Sequence, residues 1–189
     1  MINNPDKVIT HHAVSLKTHT AQDVHEWHKD RWAKYALPGD LGYNPSPTVR
    51  MENGEASLCG YHDIIEWDGT WVKCREWDEE GIHCKGQNFS SIGICFMGNN
   101  DSHYPSEAQK ETYKNEYFPS VQKGIPHIKA TDQYPHRNYA NKSCHGKLLS
   151  DDYWINQLGY LSDKKALKLQ LIQLMSQLVS LLKLQRMKG

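Results

Sequence analysis

The chain has 189 residues, of which 38% are hydrophobic and 10% aromatic, and this length and composition predict one globular domain with its own core. Its 22 basic and 22 acidic residues give a formal net charge of zero, which excludes the bulk electrostatic attraction behind non-specific nucleic-acid binding, so nucleic acid is not an expected partner. The 5 cysteines are an odd number without disulfide-framework spacing, and we expect reduced thiols.

The first part of the chain is predicted to contain a strand, a helix and a loop. Their ranges, in chain order, are Lys7–His11, Ala21–Tyr35 and 37–58. β-branched residues predict the strand, and Thr20 is the expected N-cap of the helix. Trp27 and Trp32 are expected to pack in the core, because large aromatic side chains usually bury. Repeated Pro and Gly residues predict the loop, which is expected to be a surface insertion.

The second part of the chain alternates strands and helices. The predicted strands are Tyr61–Trp67, Thr70–Arg75, Ser91–Met97 and Ile125–Thr131, and the predicted helices are Ser106–Tyr117 and one that starts at Asp151. Asp68-Gly69 is a hairpin signal between the first two strands. The pattern predicts an α/β fold with a central mixed β-sheet flanked by helices, in a single domain over residues 1–160.

Residues 161–189 are predicted to form a long, basic, amphipathic C-terminal helix. From Lys164 to Gly189 the chain has basic residues and no acidic one, and leucines recur at alternating spacings of four and three. Three interpretations remain open: the helix packs on the domain, self-associates through the leucine seam, or lies on an anionic membrane surface. Polar residues interrupt the apolar run, so a membrane span is not expected.

Two distant segments carry side chains suited to one metal ion. His11 ends the first predicted strand, and His136, Lys142 and Cys144 lie together near the end of the domain. Zinc takes imidazole nitrogen and thiolate sulfur, and a catalytic site has three protein ligands with a fourth position left for water. The simpler alternative also stands, because a lone cysteine is often a small buried hydrophobe and a histidine pair at a strand end is often solvated.

Four motifs in order resemble those of a known family: Val8–Ser15, Gly60–His62, Ser91–Ile94 and His136–Cys144. With them the chain resembles the type 2 N-acetylmuramoyl-L-alanine amidases, which include phage lysozymes of the amidase type and peptidoglycan recognition proteins. The resemblance runs over most of the chain, from about Lys7 to about Leu158. It implies a zinc-dependent (Zn2+) amidase domain that hydrolyses the amide between N-acetylmuramic acid and L-alanine of the stem peptide, with bacterial peptidoglycan as the substrate.

The resemblance also implies roles for individual residues. The implied zinc ligands are His11, His136 and Cys144, and the implied catalytic residues are Tyr61 and Lys142. His83 and Asn88 are candidate muropeptide contacts. The chain departs from the family pattern at His145, where proline is common, at Asn138, where aspartate is common, and at Asp63, where an aromatic or aliphatic residue is usual. None of these departures removes a ligand, and Asp63 is expected to alter the groove floor beside Tyr61.

The expected activity is that of a phage or prophage endolysin. The alternative is a non-catalytic peptidoglycan-binding recognition module, which is typical of relatives that have lost the ligand cysteine, whereas Cys144 is retained here. No local feature favours or opposes a further role in restraining a polymerase. The first residues lack a basic region followed by an apolar stretch, so we expect a cytoplasmic protein that acts on the cell wall after release through a pore made by another protein.

Overall fold

The computed structural model describes residues 3–35, 49–159 and Met175, apart from the side chains of residues 32–35. The Trp32 side chain, most of the predicted loop at 37–58 and nearly all of the predicted C-terminal helix at 161–189 lie outside this part of the chain, so they stay predictions. Among the described helices, none is both long and apolar enough to cross a membrane.

A five-stranded sheet forms the centre of the domain. Its strands are β1 (Lys7–His12), β2 (Asp63–Ile65), β3 (Trp71–Lys73), β4 (Ser91–Phe96) and β5 (Gln133–Pro135). They lie in the order β3-β2-β4-β1-β5, and only the β2–β3 pair is antiparallel. The predicted mixed sheet and α/β class are therefore confirmed. The β2–β3 hairpin turns at Gly69, whose φ of 95° suits glycine.

Helices cover the two faces of this sheet. They are α1 (Ala21–Tyr35), α2 (Glu107–Thr112), α3 (Phe118–Gly124) and α4 (Tyr153–Gln157). Carboxylates satisfy backbone donors at the start of α1, because Asp23 accepts from the N–H of Thr20 and Glu66 accepts from the N–H of Ala21. Ser106 forms a capping box at the start of α2. The predicted starts of both helices are confirmed.

The region between α2 and β5 differs from the prediction in two ways. The second helix does not end at Tyr117, because a π-helical turn at Tyr113–Tyr117 joins α2 to α3. The N–H of Phe118 donates to the carbonyl of Tyr113, which makes room for Pro119 at the start of α3. The predicted strand at Ile125–Thr131 is wrong, since these residues form turns and the strand that pairs with β1 is Gln133–Pro135.

Alternation along β4 divides the core into two clusters. Ile92, Ile94 and Phe96 point toward α2, α3 and α4, where Phe96 stacks on Trp154 at 3.8 Å between ring centroids. Cys95 points the other way, into the cluster that contains Val24 of α1. The expected burial of Trp27 is wrong, because 41% of this residue is exposed. The face of the sheet that packs against α1 carries the candidate site.

Candidate metal centre

His11 lies one residue before the end of β1, a central strand of the sheet. Its register partner on β4 is Cys95, and β5 on the other side leads directly into His136, which opens a 3-10 turn at His136–Asn138. Parallel strands deliver the residues at their carboxyl ends to one edge of the sheet. The sheet topology therefore brings together His11 and His136, which are far apart in the sequence.

The three predicted ligands converge. The ligand atoms of His11, His136 and Cys144 all lie within 4.8 Å of one another. Nδ1 of His11 is 3.7 Å from Sγ of Cys144, and the two imidazole centroids are 4.4 Å apart. Zinc bonds of about 2.0 Å to nitrogen and about 2.3 Å to sulfur, in tetrahedral geometry, separate the two donor atoms by about 3.5 Å. The donor set and its spacing therefore fit a zinc ion.

The loop that carries Cys144 is closed by Arg137. The backbone N–H of Arg137 donates to the carbonyl of Cys144 at 2.6 Å, and its guanidinium donates to the carbonyls of Gly146 and Leu149. The same guanidinium forms an ion pair with Asp151 at 2.6 Å. These bonds fix the loop on both sides of the thiol, independently of any ligand.

His145, a departure from the family pattern, anchors the same loop to β1. Its Nδ1 lies 2.6 Å from Oγ1 of Thr10, and its Nε2 lies 3.2 Å from the carbonyl of Ser150. Since a carbonyl can only accept, Nε2 carries the proton and Nδ1 accepts from the threonine hydroxyl. Sequence analysis gave no role to Thr10 or to this bond. The available signal was the strand period, which places Thr10 on the face opposite His11.

Burial sets the protonation of the ligands. It lowers the pKa of His11 well below its ordinary value, with the neighbouring His83 acting in the same direction. Burial and then the charge of Lys142 lower the pKa of His136. Both rings are therefore neutral near pH 7, as metal ligands must be. Burial raises the pKa of the Cys144 thiol to about 11, so binding of a cation requires release of its proton.

The two predicted catalytic residues flank the cluster in different environments. Tyr61 packs against His11 with 5.0 Å between ring centroids, and burial raises the pKa of its phenol well above the ordinary value. The phenol is therefore a hydrogen-bond donor. Lys142 is exposed, and its side chain makes no hydrogen bond or ion pair within the described ranges. Its charge helps to lower the pKa of His136 and opposes the rise that burial causes in the pKa of Cys144.

The two predicted muropeptide contacts form hydrogen bonds within the protein. His83 is 8% exposed, and its Nδ1 is 3.1 Å from Nε2 of His11. The carboxamide oxygen of Asn88 accepts from the backbone N–H groups of His83 and Cys84 at 3.1 and 2.9 Å. Asn88 thus holds the loop that carries His83. Contact of either residue with substrate stays a prediction.

A second group of potential ligands, His25, Glu26 and Glu55, lies on and beside α1. The N–H of Leu58 donates to Nδ1 of His25, which places the ring proton on Nε2, the nitrogen that faces Glu55 at 3.1 Å. A metal at Nε2 would displace that proton and leave an imidazolate. Lys29 already pairs with Glu55 at 2.7 Å. This group is a hydrogen-bonded ion pair, and it does not fit a metal.

Sequence comparisons place these features among known proteins. A family model described as N-acetylmuramoyl-L-alanine amidase matches residues 2–147. The endolysin of Klebsiella phage KP32 is 45% identical over 69 residues, which are 36% of this chain and 45% of that protein. Peptidoglycan-recognition protein 2 of Holotrichia diomphalia is 35% identical over 65 residues, 34% of this chain and 35% of that protein. The chain spans less than half the length of these curated relatives.

Solved structures share the fold. The amidase LysC of Clostridium intestinale superposes with a TM-score of 0.61 and 23% identity, covering 85% of this chain and 87% of that chain. Drosophila PGRP-LB superposes with a TM-score of 0.54 and 21% identity, covering 77% of this chain and 79% of that one. At these identities the likeness concerns the fold, and chemistry must be argued from the residues at the site.

Proposed function

Because the chain belongs to the N-acetylmuramoyl-L-alanine amidase family, whose model matches residues 2–147, we propose that it is a zinc-dependent peptidoglycan amidase. The proposed reaction adds water across the amide between the lactyl group of N-acetylmuramic acid and L-alanine of the stem peptide. The products are a carboxylate on the sugar and a free amine on the peptide. The observation that carries the proposal is the convergence of His11, His136 and Cys144 within 4.8 Å.

These three residues are the proposed zinc ligands. A zinc ion held there supplies Lewis-acid chemistry that activates water for attack and polarises the amide carbonyl. The neutral imidazoles of His11 and His136 bind through nitrogen lone pairs, and Cys144 binds as the thiolate. Removal of any one of them is expected to abolish tight metal binding, because three ligands are the minimum for such sites.

Tyr61 and Lys142 are the proposed catalytic residues. The phenol of Tyr61 stays protonated, so it donates a hydrogen bond that orients the water or the carbonyl under attack. The exposed ammonium of Lys142 is free to move toward the carbonyl oxygen and to stabilise the negative charge that develops there. Neither side chain is a ligand, and we expect zinc content to survive the loss of either one.

A second candidate function is peptidoglycan binding without cleavage. The similarity to proteins named peptidoglycan-recognition proteins supports it. Retention of Cys144 together with Tyr61 and Lys142 favours the enzyme. We further propose that the protein is made in the cytoplasm as a phage or prophage endolysin and meets the cell wall after release, in line with the phage endolysins among its relatives.

The test is cleavage of purified muropeptides, read by mass spectrometry, with zinc content measured on the same sample and a chelated control. We expect free stem peptide that begins with L-alanine, and its loss on chelation. Cys144→Ala is expected to lose zinc and cleavage together. Lys142→Ala is expected to keep zinc and lose about 100-fold or more in turnover, the usual cost of one oxyanion donor. Lys147→Ala removes a nearby exposed lysine as the matched control.

Three outcomes would each contradict one part of the proposal. Intact muropeptide in a sample with full zinc occupancy would support the recognition module and refute the enzyme. Full zinc occupancy in Cys144→Ala would refute the ligand set. Equal losses of turnover in Lys142→Ala and Lys147→Ala would show that general surface charge, and not Lys142 itself, supports the reaction.

A further inference from the structure

The rings of His11 and His83 meet edge to face beneath the metal centre. Their centroids are 5.1 Å apart at an interplanar angle of 90°, and Nε2 of His11 lies 3.1 Å from Nδ1 of His83. This distance is that of a hydrogen bond. One of the two nitrogens must therefore carry a proton, and the other must present a lone pair.

The surroundings of His83 decide which nitrogen is the donor. The hydroxyl of Ser91 donates to the carbonyl of Gln87 at 2.7 Å, so its remaining capacity is to accept. Nε2 of His83 lies 3.4 Å from that hydroxyl oxygen, so the ring nitrogen is the donor of this contact. His83 thus carries its proton on Nε2 and accepts at Nδ1.

This direction fixes the tautomer of His11. Since Nδ1 of His83 accepts, Nε2 of His11 carries the proton and Nδ1 of His11 is left with a lone pair. That nitrogen is the one 3.7 Å from Sγ of Cys144. The chain of hydrogen bonds runs from the Gln87 carbonyl through Ser91 and His83 to His11, and it presents the correct nitrogen to the metal.

The His83 ring has little freedom to leave this position. A Cβ at Gly93 would lie 2.4 Å from its Cγ, and a Cβ at Gly81 would lie 2.5 Å from its Cδ2. Two glycines therefore form a cradle for the ring. Asn88 ties down the backbone of His83 by accepting its N–H. The acceptor at Nδ1 is thus held rigidly under His11.

We propose that His83 is a positioning residue, which holds His11 in the tautomer and orientation that bind zinc. The inference rests on the proposed zinc site, and it differs from the muropeptide contact that the family resemblance implies for His83. Hydrogen-bond partners of metal-ligating histidines orient the ring and raise its basicity, and their loss typically costs about 10-fold to 100-fold in metal affinity or activity.

The test is zinc affinity, measured by competition with a chromophoric chelator, on the full chain. His83→Leu is expected to bind zinc about 10-fold to 100-fold more weakly than the wild type. His83→Asn is expected to recover most of this loss, because its carboxamide oxygen can occupy the position of Nδ1. His25→Leu removes another fully buried histidine, whose Nδ1 accepts from Leu58 N–H, and is expected to keep wild-type affinity.

Two further measurements separate positioning from general damage. Thermal unfolding of the metal-free variants reports the cost of losing a buried histidine. The cobalt-substituted variants report the ligand set, because the sulfur-to-metal charge-transfer band is expected to persist in His83→Leu. Wild-type affinity in His83→Leu would overturn the proposal, and so would an equal loss in His83→Asn or in His25→Leu. Failure of the wild type to bind zinc would overturn the proposed function as well.

Discussion

Asp63 is a fully buried carboxylate whose replacement by asparagine is expected to change the pH dependence of stability. It lies on β2, two residues after Tyr61, and accepts hydrogen bonds from the indole nitrogens of Trp71 and Trp77 at 2.9 and 2.7 Å. Burial raises the pKa of Asp63 to about 6 although both indole bonds act to lower it. The perturbation is Asp63→Asn, which keeps the shape and removes the titration. Its NH2 group faces one of the two indole donors, which adds a cost that does not change with pH.

The magnitude follows from the difference between folded and unfolded pKa values. The unfolded chain has the ordinary value of 3.8 and gives up its proton first, so raising the pH from 3.8 to 6 favours unfolding. A shift of about two units at about 1.4 kcal/mol per unit gives about 3 kcal/mol. The wild type therefore has this contribution to its free energy of unfolding in full below pH 3.8 and loses it above pH 6. The Asp63→Asn variant has no carboxyl group to titrate, so its stability does not fall in this way.

The assay is urea unfolding of the metal-free wild type and variant between pH 4 and pH 7. The free energy of unfolding of the variant, relative to that of the wild type, is expected to rise by about 2 kcal/mol from pH 4 to pH 7, which is most of the full effect. Asp68→Asn in the same hairpin is the control, because a hydrogen bond from the Thr70 N–H is the largest cause that lowers the pKa of Asp68. Asp68 therefore titrates below pH 3.8, and the difference between Asp68→Asn and the wild type is expected to stay nearly constant from pH 4 to pH 7. A constant difference between wild type and Asp63→Asn would refute the reasoning.

Three further predictions concern other parts of the chain. The first concerns His62, whose Nδ1 accepts from the Gly93 N–H and whose pKa burial lowers to about 4. Its contribution of about 3 kcal/mol to the free energy of unfolding is therefore present above pH 6.5 and lost as the pH falls to 4. His62→Gln should flatten that slope in acid unfolding curves. Gly146→Ala would place Cβ 2.2 Å from Cβ of Asn100, with a φ of 121°, and should cost about 3 kcal/mol or more in urea unfolding while weakening zinc binding. Deletion of residues 164–189 should leave zinc content intact and change solubility, oligomeric state or binding to anionic vesicles, as measured by light scattering and flotation.

Local signals predicted most of the sheet and the helix starts. Strand β4 and helix α1 follow from β-branched residues and from an N-terminal capping pattern, and both depend on neighbours in the sequence. Strand β5 was misplaced because Ile125 and Ile128 imitate a strand, although Ile128 is buried in a turn beneath the sheet. The true strand contains Pro135, which an edge strand tolerates and a local pattern disfavours.

The convergence of His11, His136 and Cys144 was predictable, whereas the network beneath them was not. His11, His136 and Cys144 are residue types that few other roles require in that order, so a family pattern identifies them. The bond between His11 and His83 joins residues 72 positions apart, and its direction depends on Ser91 and Gln87. Composition and spacing hold no information about which lone pair faces which proton. Only the packing of the chain decides it.

The strand and the loop that carry the ligands are joined on both faces of the sheet, so the site is expected to exist before metal binds. Thr10 and His11 are adjacent on β1 and point to opposite faces. Cys144 meets His11 on one face, and His145 meets Thr10 on the other. Since the Thr10–His145 bond and the closure by Arg137 need no cation, chelation should leave the loop in place. We therefore expect chelation to lower the unfolding midpoint only by the amount that zinc affinity predicts, with unchanged cooperativity.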